Sequence, residues 1–274
     1  MDHNGYEAAL AAWRADAEAA LRAPDGWLSV AGLFWLQEGV STLGSDPACA
    51  VRLPARSAPP FVARLALRDG AVTVLEAGPE LLVNGEPPPA RPLRPTTSGQ
   101  PDRITVGRLS LQIHQAGGRI GVRVRDPENP ARTEFPGRRW YPPRPEYRVT
   151  GRFVAYDPPR PVTVVNMLGD TEEELCPGYV TLTLGGRELE LQASGRPGVN
   201  LKIVFRDATS GHETYGAARF LYFEIGPDGA VELDFNKAVS PPCAFTEFAT
   251  CPLPPPQNRL PFAVPAGELA PEGH

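Results

Sequence analysis

Eight polar residues in the last third of the chain carry side chains able to do chemistry: Asp207, Tyr215, Arg219, Asp234, Asn236, Cys243, Asn258 and Glu268. Asp207 continues the alternating row Leu201, Ile203, Phe205, and Arg219 falls in phase with Leu221, Phe223 and Ile225. A carboxylate and a guanidinium aimed at one core invite pairing, because burying either charge alone is costly. Two readings stand: Arg219 holds an anionic substrate, or the two residues form an internal ion pair at a barrel end. Asp234 and Asn236 alternate with Val231, Leu233 and Phe235, so they face the opposite side and meet Asp207 only across a bulge or loop. Cys243, preceded by two prolines, is a candidate nucleophile with His212 as its base, since thiol catalysis needs a base within hydrogen-bond reach. The alternative is a small buried hydrophobe. Glu268 or Asp234, if desolvated, would serve as general acid or base. With Tyr215, Arg219 and Asn258 they would form a polar pocket suited to a small hydrolytic or isomerising reaction.

The four cysteines, Cys49, Cys176, Cys243 and Cys251, form no CxxC, and the spacing of the last two matches no standard zinc arrangement. Neither a metal nor a cofactor is expected. The start MDHNGYEAAL lacks a basic region followed by an apolar stretch, and no long apolar run occurs, so the expectation is a cytoplasmic protein with free thiols and no membrane segment. The formal net charge of −5 gives no overall basic surface and argues against nucleic acid as a partner.

These residues need elements to position them. With 27 Gly and 33 Pro in 274 residues, a helical bundle is excluded, whereas 42% hydrophobic residues suffice for a core. Tyr6, Leu10, Trp13, Ala17 and Leu21 make one helical stripe, opened by Asn4-x-x-Glu7 and closed by Pro24 and Gly26. The apolar stretch 26–39 then packs its Trp27, Phe34 and Trp35. Beyond Gly39 the period becomes two. Around Gly117-Gly118, pairing Ala116 with Arg119 sets Ile113 opposite Val122 and Leu111 opposite Val124; around Gly185-Gly186, Leu184 pairs with Arg187. Further alternating runs at 61–67, 72–75, 147–156, 162–168, 201–205, 221–225 and 231–235 complete an all-β chain of two antiparallel domains, a β-sandwich followed by a β-barrel or sandwich, with one N-terminal helix. The segments are 1–40 (helix and apolar stretch), 41–125 (sandwich), 126–146 (linker) and 147–274 (second β domain with a proline-rich tail). From Arg119 to Arg152 nine arginines face four acidic residues. This stretch is either an anion groove or a surface arm that pairs with acidic segments such as 170–174.

In the first β domain, Thr42-Leu-Gly-Ser-Asp-Pro47, Val51-Arg-Leu-Pro54, Ser57, the run 61–67, Asn84-Gly85 and Asp102-Arg-Ile-Thr-Val-Gly107 resemble, in order, the landmarks of a forkhead-associated domain. That resemblance implies a β-sandwich whose loops bind phosphothreonine. Ser45 stands where the family places a phosphate-binding arginine, and Ser57 is followed by Ala58, Pro59 and Pro60 in place of a Ser-x-x-His pattern. The fold is therefore expected without the phosphothreonine contact.

The tail from Lys237 to Phe245, Cys251-Pro-Leu-Pro-Pro-Pro256, Asn258 and Pro265-Ala-Gly-Glu268, with Tyr141-Pro-Pro143, Tyr147-Arg-Val149, Thr214-Tyr215 and Arg219-Phe-Leu221, resembles the family called domain of unknown function 1684 over almost the whole chain. The resemblance implies a family and no reaction. Three function classes remain: a module binding a small polar or anionic molecule in the C-terminal domain, a hydrolase-like enzyme using the same residues, and an interaction module with an unknown protein partner. The first is the expectation, with Asp207, Arg219, Asp234 and Asn236 lining one pocket.

Overall fold

A computed structural model describes residues 3–272 and divides the chain into two compact units, 20–135 and 1–19 with 136–274. The protein is mostly β. Helix α1 (His3–Arg22) opens it, with Leu10 and Leu21 of its apolar stripe buried. The side chain of Asn4, half of the expected cap, lies outside the described residues. Among the described residues no helix is long and apolar enough to cross a membrane.

The unit 20–135 is built from two sheets. β1 (Val30–Trp35), β2 (Gly39–Gly44), β3 (Val51–Arg52), β4 (Ala63–Arg68), β5 (Ala71–Ala77), β6 (Leu81–Val83), β7 (Ile104–Val106), β8 (Leu109–Ala116) and β9 (Arg119–Arg125) form sheets ordered β1-β9-β8-β7-β6 and β3-β2-β4-β5. Both contribute to one apolar core, including Leu43, Leu65, Val106, Leu111 and Val122. The hairpin β8–β9 has the register expected from its apolar face, Ala116 opposite Arg119 and Ile113 opposite Val122. Gly117 and Gly118 hold φ of 54° and 74°, the left-handed pair a two-residue turn requires and that side-chain-bearing residues resist. Part of the stretch 26–39 is itself the edge strand β1, and its tryptophans stack under cations, Trp35 under Arg119 and Trp27 under Arg123 and Arg125. Residues 126–135 fold within this unit, through a buried Asp126 paired with Arg108 and the short helix α2 (Ala131–Glu134).

The second β unit contains one six-stranded sheet. β10 (Arg148–Val165), β11 (Thr171–Leu184), β12 (Arg187–Ser194), β13 (Lys202–Phe205), β14 (Arg219–Tyr222) and β15 (Ala230–Asp234) are ordered β14-β13-β12-β11-β10-β15. A bridge between Ile225 and Val231 joins the chain beyond one edge strand to the other edge, so the sheet curls toward a barrel. Its core holds Val180, Leu191, Ile203, Phe205, Leu221, Leu233 and Phe235. The expected pairing of Leu184 with Arg187 is present. The two alternating runs 147–156 and 162–168 merge into the single long β10, with a register shift between Ala155 and Arg160 that absorbs the intervening prolines. The acidic run extends β11: Glu172, Glu173 and Glu174 lie opposite Val164, Thr163 and Val162. The basic arm turns elsewhere, Arg138 to Glu268, Arg144 to Glu146 and Arg148 to Glu232.

Candidate functional site

The proline-rich tail is fastened to the sheet by its few residues that can donate. Proline has no N–H, so each stretch between prolines must supply the backbone bonds. Phe220 and Val239 exchange both bonds, Leu253 N–H donates to the Val165 carbonyl at 2.7 Å, Met167 N–H to that of Cys251 at 2.9 Å, and Glu268 N–H to that of Ala238 at 2.8 Å. Gly267, at φ 84°, passes so close to Ala238 that a Cβ would lie 2.6 Å from its carbonyl oxygen, which accounts for glycine before Glu268.

The eight candidate residues fall into separate clusters. Asp207 and Arg219 meet, as their phase implies, and both side chains are fully buried. Arg219 also donates to the carbonyls of Val264, at 3.0 Å, and Ala266, while Asp207 accepts from the N–H and hydroxyl of Thr209 at 2.7 and 2.6 Å. This pair ties the tail to β14. Asp234 and Asn236 do not lie on an exposed opposite face. β15 ends at Asp234, the chain turns into a 3-10 segment (Phe235–Lys237), and both polar side chains become buried beside helix α1. The Tyr6 hydroxyl donates to Asp234 at 2.9 Å, and Asn236 Nδ2 donates to Tyr6 Oη at 3.0 Å and to the Arg144 carbonyl at 2.9 Å. Burial pushes the Tyr6 hydroxyl well above the usual range, with the Asp234 charge acting in the same sense.

Glu268 is almost wholly buried, 2.5 Å from Arg138 Nη1 and 2.7 Å from the Ser240 N–H. Burial pushes its carboxyl up to about 7, against the opposing pull of Arg138 and Ser240. Tyr215 donates to the Cys243 carbonyl at 3.0 Å, and the Cys243 N–H donates to Cys251 Sγ at 3.3 Å. His212 is exposed in the turn after Asp207. Asn258 spends its whole amide on backbone, accepting from Gln192 N–H at 2.8 Å and donating to the carbonyls of Gln192 and Val204 at 2.9 and 2.8 Å. Among the described residues no group of three or more His, Cys, Asp or Glu is placed to hold a metal ion.

Of the eight, Asn258 reaches a cavity. About 310 Å³ in volume, it is walled by Val164 and Val165 of β10, Val204 of β13 and Leu253, Pro254 and Pro255 of the tail. Gln192, Ser194, Glu174 and Arg259 supply its polar groups. The Ser194 hydroxyl is buried and has no hydrogen-bond partner. Lys202 is the register partner of Ser194 and the electrostatic partner of Glu174. Burial raises the Glu174 carboxyl and lowers the Lys202 ammonium, and each charge opposes the shift of the other. A mainly apolar cavity with a few convergent polar groups is the usual form of a small-molecule site. Glu174 and Lys202 escape a reading of the sequence for physical reasons. Three successive glutamates hide the alternation of β11, and Lys202 sits between the apolar residues that define β13.

No curated protein matches the chain. A solution NMR structure of an uncharacterized protein from gene locus rrnAC0354 of Haloarcula marismortui is 32% identical, with 52% of this chain and 81% of that chain covered and a TM-score of 0.43. The family model described as protein of unknown function (DUF1684) matches residues 133–269, a narrower span than almost the whole chain. That match takes in the sheet, the tail and all eight candidate residues, and the chain belongs to this family.

Proposed function

We propose that the C-terminal unit binds a small amphipathic molecule in the cavity beneath the proline-rich tail, an apolar body carrying one anionic or hydroxylic head. The observation that carries this reading is the unpartnered Ser194 hydroxyl within a mainly apolar wall. A buried polar group without a partner costs about 1–3 kcal/mol, and a ligand head that accepts its hydrogen bond recovers part of that. The lining carries Arg259 and Glu174, and Lys202, the register partner of Ser194, offsets the Glu174 charge from beside the cavity, which favours an anionic head over a cationic one. The expected polar or anionic ligand is thereby kept, while its place moves from Asp207, Arg219, Asp234 and Asn236 to the tail cavity.

Hexanoate and hexylamine, equal in length and opposite in charge, test the reading by NMR titration of the valine and leucine methyls. Hexanoate is expected to shift Val164, Val165, Val204 and Leu253 together, hexylamine to do so more weakly, and Val165→Trp to abolish the response. Val165 is 39% exposed, so the larger ring fits at the rim without disturbing the core. Shifts scattered over the surface, or unchanged in Val165→Trp, would overturn it.

A further inference from the structure

Cys243 and Cys251 lie on two proline-stiffened arms, Pro241-Pro242 before the first and Pro252 after the second. Their contact is direct. The Cys243 N–H reaches Cys251 Sγ at 3.3 Å, and the Tyr215 hydroxyl donates to the Cys243 carbonyl at 3.0 Å. Cys243 is partly exposed and Cys251 is buried, 5% accessible. Hydrogen bonds from Cys251 and Tyr215 draw the Cys243 thiol below its ordinary range. Cys176 has the opposite setting: it is buried, its Sγ is bonded to the carbonyls of Gly178 and Ala193, and burial raises its thiol. A thiol with thiolate character and access to solvent, beside a second thiol shielded from it, is the arrangement of a peroxidatic and a resolving cysteine.

We propose that Cys243 and Cys251 form a reversible redox pair, oxidised by hydroperoxides to a disulfide that fastens the tail at the edge of the cavity wall. The Cys243 thiolate attacks the peroxide, the O–O bond breaks, and the departing oxygen leaves with a proton as water or an alcohol. Cys243 becomes a sulfenic acid. The Cys251 sulfur then attacks that sulfur, the S–O bond breaks, and water leaves with the Cys251 proton. Two electrons pass from the thiol pair to the peroxide, and the products are one disulfide, one alcohol or water, and one water. A low-molecular-weight thiol reverses the step by exchange. This inference is independent of what occupies the cavity.

Peptide mapping after hydrogen peroxide and N-ethylmaleimide tests it on the intact protein. The expected product joins Cys243 to Cys251, two hydrogens lighter than the reduced form and restored by dithiothreitol, with Cys49 and Cys176 alkylated after unfolding. Loss of the Cys243 thiol should run at least about tenfold faster than loss of the Cys49 thiol. In Cys251→Ser, dimedone should trap a sulfenic acid at Cys243, and in Cys243→Ser the Cys251 thiol should persist. If wild-type Cys243 and Cys251 both remain alkylatable once Cys49 has been oxidised, or if Cys243 pairs with a cysteine other than Cys251, the proposal is overturned. The wild-type map stands whether or not the variants fold.

Discussion

Asn258 and Ser194 line the same cavity and differ in one respect: both amide hydrogens and the carbonyl oxygen of Asn258 are spent on backbone, whereas the Ser194 hydroxyl has nothing to bond. The same contrast separates two regions of the second unit. Around Asp207 and Asp234 most buried polar atoms are bonded internally, and one left over, Arg219 Nε, belongs to a fully buried side chain; in the cavity the Ser194 hydroxyl is left unbonded beside an apolar wall. Saturated polar groups fix a chain in place; unsaturated ones beside an apolar wall leave room for a ligand. By this criterion the residues most reactive in type are mainly engaged in internal bonding, and the proposed site lies among more ordinary side chains.

The contrast is broken most forcefully at Asp207. Asp207→Ala leaves Arg219 buried without its counter-charge and should cost about 3–5 kcal/mol in urea unfolding. Hexanoate binding by the fraction that remains folded should be unchanged. Glu268 comes next. Its folded carboxyl keeps a proton up to about pH 7, while the unfolded one releases it near the ordinary 4.5, so the folded state holds the extra proton between these values. Stability contributed by this group is complete below 4.5 and is lost as pH rises through 7, a fall of about 3 kcal/mol across the window. Urea midpoints at pH 5 and pH 8 should show this fall in the wild type and lose it in Glu268→Gln.

Asn258→Ala strands the Gln192 N–H and two carbonyls, and a loss of about 2 kcal/mol is expected, with weaker hexanoate binding because the cavity wall loosens. Ser194→Ala breaks no bond and removes a buried hydroxyl that has no partner, so folding should be unharmed or gain about 1 kcal/mol. It should nevertheless weaken hexanoate several-fold. A variant series in which stability and binding fell together at every position would erase the distinction between the two regions.

Much of the fold is legible in the sequence because local rules govern it. The Gly-Gly turns set two hairpin registers, and strand phase alone brings Asp207 to Arg219. What escapes such a reading depends on distance along the chain or on the absence of contrast. Tyr6 bonds Asp234 across 228 positions, and no local pattern announces that pairing. Asp234 and Asn236 defeat simple alternation because β15 stops at Asp234 and the next turn buries both. The cavity is invisible for a third reason: it is a space between elements, and its value lies in bonds left unmade.

A crystal of the protein soaked with 6-bromohexanoate tests the central claim most directly. The bromine anomalous signal should lie against Val165, Val204 and Leu253, with the carboxylate within hydrogen-bond distance of the Ser194 hydroxyl. An ordered bromine elsewhere on the molecule, with the tail cavity holding only solvent, would contradict the account.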